Sequence, residues 1–431
     1  MSEKNIFTNN NFLKFFPLII FMFSPKIDII AIPGFWQGVR LDDLVIFFYL
    51  TYFIFLNKFK IYPNLINKKT IGLNWILFFP YVILSIFIGK IYLLNPQLVI
   101  AIRYLEYVAL IIILNEINPN KEKILLLFKI YIVLNFIVII LQYFEFIGGF
   151  TSRGNCMAHI GDMESYCFDK EDIVNICFFS CDLGFNKNYV LPGNFYWDRV
   201  PGITGGVWEL SFNLAICVYA LVIFEKKLSK ILPYILLTLI MLLQAQSRGI
   251  IFGFIAGSIF LIEDYKKVFK IIVLSSILLI LIYIFDFFNF RETVHNRFLI
   301  DYIKLIQIIF GAFTDSLPPR SDVAGTGLES MWIRAFHWQR SISDLTQSYI
   351  LTIFGSGGSL IYTESFMIRI LSSFGVLGSL LVIYLSRNLP IFFIIFLLVT
   401  GLTIDMFVSF KIFVFSFLFI MLLKKANKMR V

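Results

Sequence analysis

Long apolar runs separated by short polar segments dominate the chain. A helix needs about 20 apolar residues to cross a bilayer, and on that length about twelve runs qualify as candidate spans. The pattern therefore predicts an all-α, polytopic membrane protein. The spans lie near 12–33, 42–57, 72–94, 97–115, 123–147, 203–224, 230–244, 249–263, 268–288, 366–385, 389–405 and 407–423, and the last two are short enough to form one re-entrant feature.

The composition agrees with this pattern. Of 431 residues, 59% are hydrophobic, 15% are charged and 51 are phenylalanine. A soluble core of this size does not need so much apolar surface, so much of that surface must face lipid. The first run is interrupted by Pro25, Lys26 and Asp28 and lacks a small-residue cleavage site, which favours a retained span over a removable signal peptide. We expect a single integral membrane domain over residues 1–431.

The lysines indicate the orientation of the spans. They cluster in connections that the predicted spans place on one side, which the excess of positive charge marks as the cytoplasmic side. Both termini are then cytoplasmic, and two long loops, 148–202 and 289–365, lie on the opposite, periplasmic side as partly ordered caps. The lysines are Lys58, Lys60, Lys68, Lys69, Lys121, Lys123, Lys226, Lys227, Lys230, Lys266, Lys267, Lys270, Lys424, Lys425 and Lys428.

Arginine, in contrast, is concentrated on the predicted outer side. Arg248 is the most informative of this set, because it stands between two apolar runs, where a permanent cation is costly and usually functional. The planar guanidinium suits bidentate binding of phosphate or carboxylate, although a solvated or ion-paired surface role is open for each arginine taken alone. The set is Arg40, Arg153, Arg199, Arg248, Arg291, Arg297, Arg320, Arg334, Arg340 and Arg369.

Several short motifs, in this order and on one predicted membrane face, resemble those of the bacterial O-antigen polymerases (Wzy-type) and the related O-antigen ligases. Each motif alone is weak, and together they cover a small part of the chain. They are Val39-Arg40-Leu41-Asp42-Asp43, Arg103-Tyr104-Leu105-Glu106-Tyr107, Arg199-Val200-Pro201-Gly202-Ile203 with Glu209, Asn213 and Ala215, Gln246-Ser247-Arg248-Gly249, Trp338, Ile353-Phe354-Gly355-Ser356-Gly357, Thr363-Glu364-Ser365 and Phe374-Gly375-Val376-Leu377-Gly378.

The resemblance implies a GT-C-like membrane glycosyltransferase in the bacterial inner membrane. Its substrates would be oligosaccharides and polysaccharides linked to undecaprenyl diphosphate, and its partners membrane lipids, a chain-length regulator and a flippase. A ligase that passes glycan to lipid A core, and a flippase or carrier for lipid-linked oligosaccharide, are the alternatives. The related ligases carry a histidine where this chain reads Thr363-Glu364-Ser365, which favours the polymerase. Neither a nucleic-acid partner nor a cofactor is expected.

The expected catalytic residues are Arg199, Glu209, Arg248 and Glu364. The arginines would stabilise charge that develops on the leaving diphosphate, so no metal is required. A carboxylate would assist the acceptor hydroxyl, and Glu209 and Glu364 are the candidates, with a structural salt bridge as the other interpretation of Glu209. The expected substrate-binding residues are Arg334, His337, Arg340, Arg369 and Arg40, and His337 is also a possible base or simply a packed side chain.

Three further groups of residues suggest an ion pair, a metal site and disulfides. Arg103 and Glu106 are three positions apart on one predicted helix, which favours an ion pair between them. The adjacent Asp42 and Asp43 are a weak signal for a metal site. Four cysteines of the first long loop, Cys156, Cys167, Cys177 and Cys181, permit one or two disulfides of undetermined pairing.

Overall fold

A computed structural model describes residues 11–24, 28–31, 39–56, 72–92, 98–144, 177–178, 201–204, 206–225, 227–261, 273, 277, 280–281, 283–286, 302–324, 326, 328–357, 365–406 and 409–426. Helices account for most of this part of the chain. They are α1 (Asn11–Phe23), α2 (Leu41–Leu56), α3 (Leu73–Leu77), α4 (Phe79–Ile91), α5 (Leu98–Ile117), α6 (Lys121–Tyr143), α7 (Val207–Phe224), α8 (Leu228–Ala245), α9 (Arg248–Ile259), α10 (Tyr302–Thr314), α11 (Glu329–Thr346), α12 (Tyr349–Phe354), α13 (Phe366–Ser386), α14 (Ile391–Gly401) and α15 (Phe410–Lys425).

Five stretches among the described residues are long and apolar enough to cross a membrane, which is consistent with a multi-pass membrane protein. Each coincides with a predicted span. They are Leu73–Ile91, Lys121–Tyr143, Val207–Phe224, Leu228–Ala245 and Phe366–Ser386. The full number of about twelve spans and the GT-C-like arrangement stay predictions.

A small antiparallel sheet accompanies the helices, and the all-α prediction did not include it. Its strands are β1 (Asp28–Ala31), β2 (Val39–Arg40) and β3 (Cys177–Phe178), in the order β2-β1-β3. In the register of β1 and β2, the backbone of Asp28 lies opposite that of Arg40. Strands of two to four residues are too short to show an alternating pattern, so the sequence gives no signal for them.

The chain divides into two compact units. The first comprises Met1–Leu73, Ala109–Ser247 and Val414–Lys425. Its central helix is α7, which is apolar and buried on nearly all sides, as a helix surrounded by others must be. Helices α6 and α8 pack against α7, and α15 packs against α6, where the Phe128 and Phe415 rings stack with centroids 5.6 Å apart.

The second unit comprises Asn74–Val108, Arg248–Phe413 and Ala426–Val431. Here α9 packs on α14, α10 on α11, and α13 on both α4 and α12. The α10–α11 pair lies inside the segment 289–365, so the described part of that predicted loop is mostly helical. The predicted single domain and the periplasmic location of both loops stay predictions.

Helix α13 is broken at Gly375, which has φ +64°. A Cβ at this position would lie 2.4 Å from the carbonyl oxygen of Ile353, so only glycine fits. After α12 ends, the Ser356 and Gly357 amides donate to the Ser372 and Ser373 carbonyls at 2.9 and 3.0 Å. Two of the motifs quoted above therefore meet here, and their glycines serve packing.

Candidate functional site

The last two residues of α14 and the five that follow them, residues 400–406, hold a buried ion pair; we call this segment the 400–406 turn. Asp405 Oδ2 lies 2.9 Å from Arg369 Nε, and both side chains are almost completely buried. Two hydrogen bonds fix the turn on the first residues of α13: Ser365 Oγ donates to the Gly401 carbonyl and the Phe366 amide to the Ile404 carbonyl, each at 3.0 Å. The Arg369 side chain thus holds this turn in position.

Arg248 begins α9 beside the same turn. The next residue, Gly249, approaches the turn so closely that a Cβ there would lie 1.9 Å from Thr403 Oγ1. One helical turn later, a Cβ at Gly253 would lie 2.3 Å from Thr400 Oγ1. The spacing Gly249-x-x-x-Gly253-x-x-x-Gly257 lets two apolar helices pack closely in lipid. This contact sets the place of the Arg248 backbone.

Arg248 and Arg369 are therefore both attached to the 400–406 turn. Asp405 offsets the charge of Arg369. Arg248 is only half-buried, whereas Arg369 has almost no exposed surface. A guanidinium suits the binding of an anion, and the Arg369–Asp405 pair fixes the turn against which α9, the helix that Arg248 begins, packs.

Helix α11 carries three of the predicted substrate-binding residues. Ala335 and Trp338 are buried in one apolar cluster with Ile368, the neighbour of Arg369 in α13. Arg334 and His337 are half-buried. Arg340 is exposed, and its guanidinium carbon lies 5.6 Å from the centroid of the Phe336 ring. The packing of α11 on α13 thus places these side chains in the same unit as Arg248.

Glu209 belongs to the first unit, in the first turn of α7. It is 1% exposed. One turn further along α7, Asn213 Nδ2 donates to the Tyr131 hydroxyl at 3.2 Å. A carboxylate buried to this degree suits either a proton acceptor or a structural group, so both interpretations of Glu209 remain.

The segment leading into α7 is fixed by two amide side chains of α6. Gln142 exchanges two hydrogen bonds with Gly202, from Nε2 to the carbonyl at 3.0 Å and from the Gly202 amide to Oε1 at 2.9 Å. Asn135 Oδ1 accepts from the Ile203 amide at 3.1 Å. Gly202 has φ +62°, and a Cβ there would lie 2.4 Å from Asn135 Oδ1. These contacts fix residues that closely follow Arg199 in sequence.

Two groups singled out in the sequence contain ion pairs. The predicted substrate-binding role of Arg40 and the metal site considered at Asp42 and Asp43 stay predictions. Arg40 is buried, with Nε 3.6 Å from Asp42 Oδ1 and 3.8 Å from Asp43 Oδ2. Both carboxylates thus face a cation. The ion pair expected within α5 is confirmed, since Arg103 Nη1 contacts Glu106 Oε2. Among the described residues, no group of three or more His, Cys, Asp or Glu side chains could hold a metal.

Arg199 and Glu364 lie outside the described residues, as do the side chains of Cys156, Cys167, Cys177 and Cys181. The catalytic roles predicted for the first two residues, and any disulfide pairing, stay predictions.

The sequence reasoning missed Asp405 and the amides of α6. A signal existed for each, because an isolated acid or amide inside an apolar run is costly unless it has a partner. The glycine spacing of α9 was a second signal. Nothing in the local pattern, however, could have paired Asp405 with Arg369, which is 36 positions away.

Comparison with protein-family models, with curated proteins and with solved structures finds no match for this chain.

Proposed function

We propose that this protein is a surface-polysaccharide polymerase of the O-antigen (Wzy) type in the bacterial inner membrane. In this proposal both termini are cytoplasmic and the reaction takes place at the periplasmic face. The enzyme transfers a growing glycan from undecaprenyl diphosphate to the non-reducing end of a lipid-linked repeat unit. The motif resemblance and the apolar helices support this assignment.

The proposed reaction is a single glycosyl transfer. The bond between the anomeric carbon and the diphosphate oxygen breaks, and the diphosphate keeps the electron pair. A bond forms between that carbon and an acceptor hydroxyl oxygen, whose proton passes to a base. Because a lipid diphosphate is already a good leaving group, the largest demand on the protein is stabilisation of its developing negative charge.

The observation that carries the proposal is the attachment of Arg248 and Arg369 to the 400–406 turn. Arg248 is half-buried at the start of an apolar helix. A cation placed there would meet the headgroup of a lipid-linked substrate while the polyprenyl tail stays among apolar helices. The guanidinium fork binds two phosphate oxygens at once, which a lysine cannot do. Arg369 and Asp405 fix the turn against which α9 packs.

The base is proposed to be a carboxylate. Glu209 is a candidate because it is buried in α7 close to Asn213 and Tyr131, and Glu364 is the other. The Glu209→Gln variant separates a catalytic base from a salt-bridge partner. If Glu209 is the base, the variant loses activity and keeps its thermal stability. If Glu209 is a salt-bridge partner, the variant loses both activity and thermal stability. The reaction proposed here requires no cofactor.

The test is polymerisation by the purified protein. Lipid-linked repeat units, extracted from the native strain after deletion of this gene, are incubated with the purified protein in lipid nanodiscs. We expect products several repeats long that remain attached to lipid, and none with Arg248→Ala. Products transferred only to added lipid A core would identify a ligase, and absence of any glycan transfer by well-folded protein would contradict both enzymatic functions.

A further inference from the structure

Four side chains follow one another along a single face of α11. They are Trp332, Phe336, Arg340 and Asp344, spaced four positions apart, which brings them to the same side of the helix. We call this line the α11 strip. The opposite face of α11 is buried, through Met331, Ala335, Trp338 and Leu345. Within the strip, Phe336 and Arg340 are exposed, whereas Trp332 and Asp344 are half-buried, so the strip is accessible mainly at its centre.

The contacts within the strip hold it in one arrangement. The Trp332 and Phe336 rings are stacked, with centroids 5.5 Å apart and an interplanar angle of 7°. The Trp332 indole N–H donates to the Pro318 carbonyl at 2.7 Å, which fixes that ring. Arg340 lies over Phe336 at 5.6 Å. Burial raises the pKa of Asp344, and the charge of Arg340 opposes this shift.

The chemistry of the strip differs from that of the helix beside it. Helix α10 exposes an apolar surface formed by Ile303, Ile306, Phe310 and Phe313, which suits lipid or another apolar partner. The strip instead has two aromatic rings, Trp332 and Phe336, followed by two hydrogen-bonding groups, Arg340 and Asp344. Aromatic faces pack against the apolar C–H face of a pyranose, and guanidinium and carboxylate groups bond its hydroxyls. Prearranged side chains also reduce the ordering cost of binding.

We propose that the α11 strip is a binding site for the glycan chain, and that it holds the growing polysaccharide away from the reacting end. This inference rests on the proposed function and adds a substrate subsite to it. Trp332, Phe336 and Asp344 join Arg340 as residues that contact the sugar. Loss of the strip then shortens the polymer, because a weakly held chain leaves the enzyme sooner, but it does not stop transfer.

The first test is equilibrium binding to purified protein. The probe is polysaccharide of narrow length range, released by mild acid from the strain that carries the gene. We expect Phe336→Ala and Arg340→Ala each to weaken binding roughly three- to ten-fold. Phe336→Trp keeps a stacking ring and should bind nearly as well as the wild type. Phe310→Ala is the matched control, since it removes an exposed phenylalanine from α10, and it should leave binding unchanged.

The second test is the length of the polysaccharide made by cells that carry each variant. Phe336→Ala and Arg340→Ala should shift the distribution to shorter chains, whereas Phe310→Ala should leave it as in the wild type. If both variants bind glycan and make chains as the wild type does, while Arg248→Ala makes none, the strip proposal is wrong and the proposed function stands. If cells lacking the protein keep their normal polysaccharide, the proposed function is wrong, and the binding measurement alone decides whether the strip holds glycan.

Discussion

Asp405 Oδ2 accepts a hydrogen bond from Arg369 Nε at 2.9 Å, and neither side chain has more than 2% of its surface exposed. Arg369 belongs to α13 and Asp405 to the 400–406 turn, so their pairing fixes this turn against α13. Loss of either partner would leave the other charge buried, which is costly. Both residues therefore act together.

Asp405→Ala should strongly destabilise the protein. Removal of one partner of a buried ion pair costs about 3–5 kcal/mol, because the other charge stays buried. The melting temperature in detergent should fall markedly, and the double variant Arg369→Met/Asp405→Leu should recover most of the loss. Glu329→Gln is the control, since it breaks an ion pair with Arg320, which is 59% exposed, and should change stability little. Equal effects of the buried and exposed changes would contradict this account.

A larger side chain at Gly253 should separate α9 from α14. The added atoms of Gly253→Val meet Thr400 Oγ1, and overpacking of this kind costs about 1–3 kcal/mol. Activity should fall as well, because Arg248 begins the displaced helix. The double variant Gly253→Val/Thr400→Ala lacks the nearest atom, Thr400 Oγ1, and should recover part of the lost melting temperature. No recovery in the double variant would show that the contact is not the cause.

Loss of the Gln142 side chain should reduce activity, because Gln142 fixes the segment that leads into α7. Gln142→Ala removes both hydrogen bonds to Gly202, leaving a buried amide and carbonyl without their partner, which costs about 1–3 kcal/mol. We expect reduced polymer synthesis together with a lower melting temperature. Asn115→Ala is a matched control, because the Asn115 amide donates to Ile111 in its own helix. A wild-type phenotype of Gln142→Ala would argue against a role for this segment.

Acid should weaken the ion pair between Glu225 and Lys129. The hydrogen bond from Lys129 lowers the pKa of Glu225, burial opposes this, and the charges of Lys129, Lys230 and Lys121 add to the lowering. Since the folded-state pKa is below the unfolded value of about 4.3, the stabilisation is present above that pH and is lost as pH falls through the folded pKa.

The measurement is the melting temperature between roughly pH 6 and pH 3, where the pair contributes at most about 1 kcal/mol because it is partly exposed. The wild type should lose more stability over this range than Lys129→Met, which has no pair to lose. Identical pH profiles of the two proteins would show that the contact is not stabilising.

The sequence predicted those features that depend on local pattern. Runs of apolar residues located the long helices, and a spacing of three positions located the Arg103–Glu106 pair. The break at Gly375 escaped prediction because Gly375 lies within a continuous apolar run, where a straight helix and a broken one have the same composition.

The site was predicted only in part for a similar reason. The cost of burying a charge identified Arg248 and Glu209 as unusual. Their neighbours depend on contacts between segments distant in the sequence, such as the approach of Gly249 to Thr403. No local pattern encodes such a contact, and so the turn that supports Arg248 emerged only from the fold.

The most direct test of the proposed function is the lipopolysaccharide ladder of a strain from which this gene has been deleted. We expect core bearing a single repeat unit, full recovery of the ladder with the wild-type gene, and no recovery with Arg248→Lys, which keeps the charge but not the fork. Core without any repeat would identify a ligase. A full ladder after deletion, in a strain with no second polymerase gene, would contradict the account.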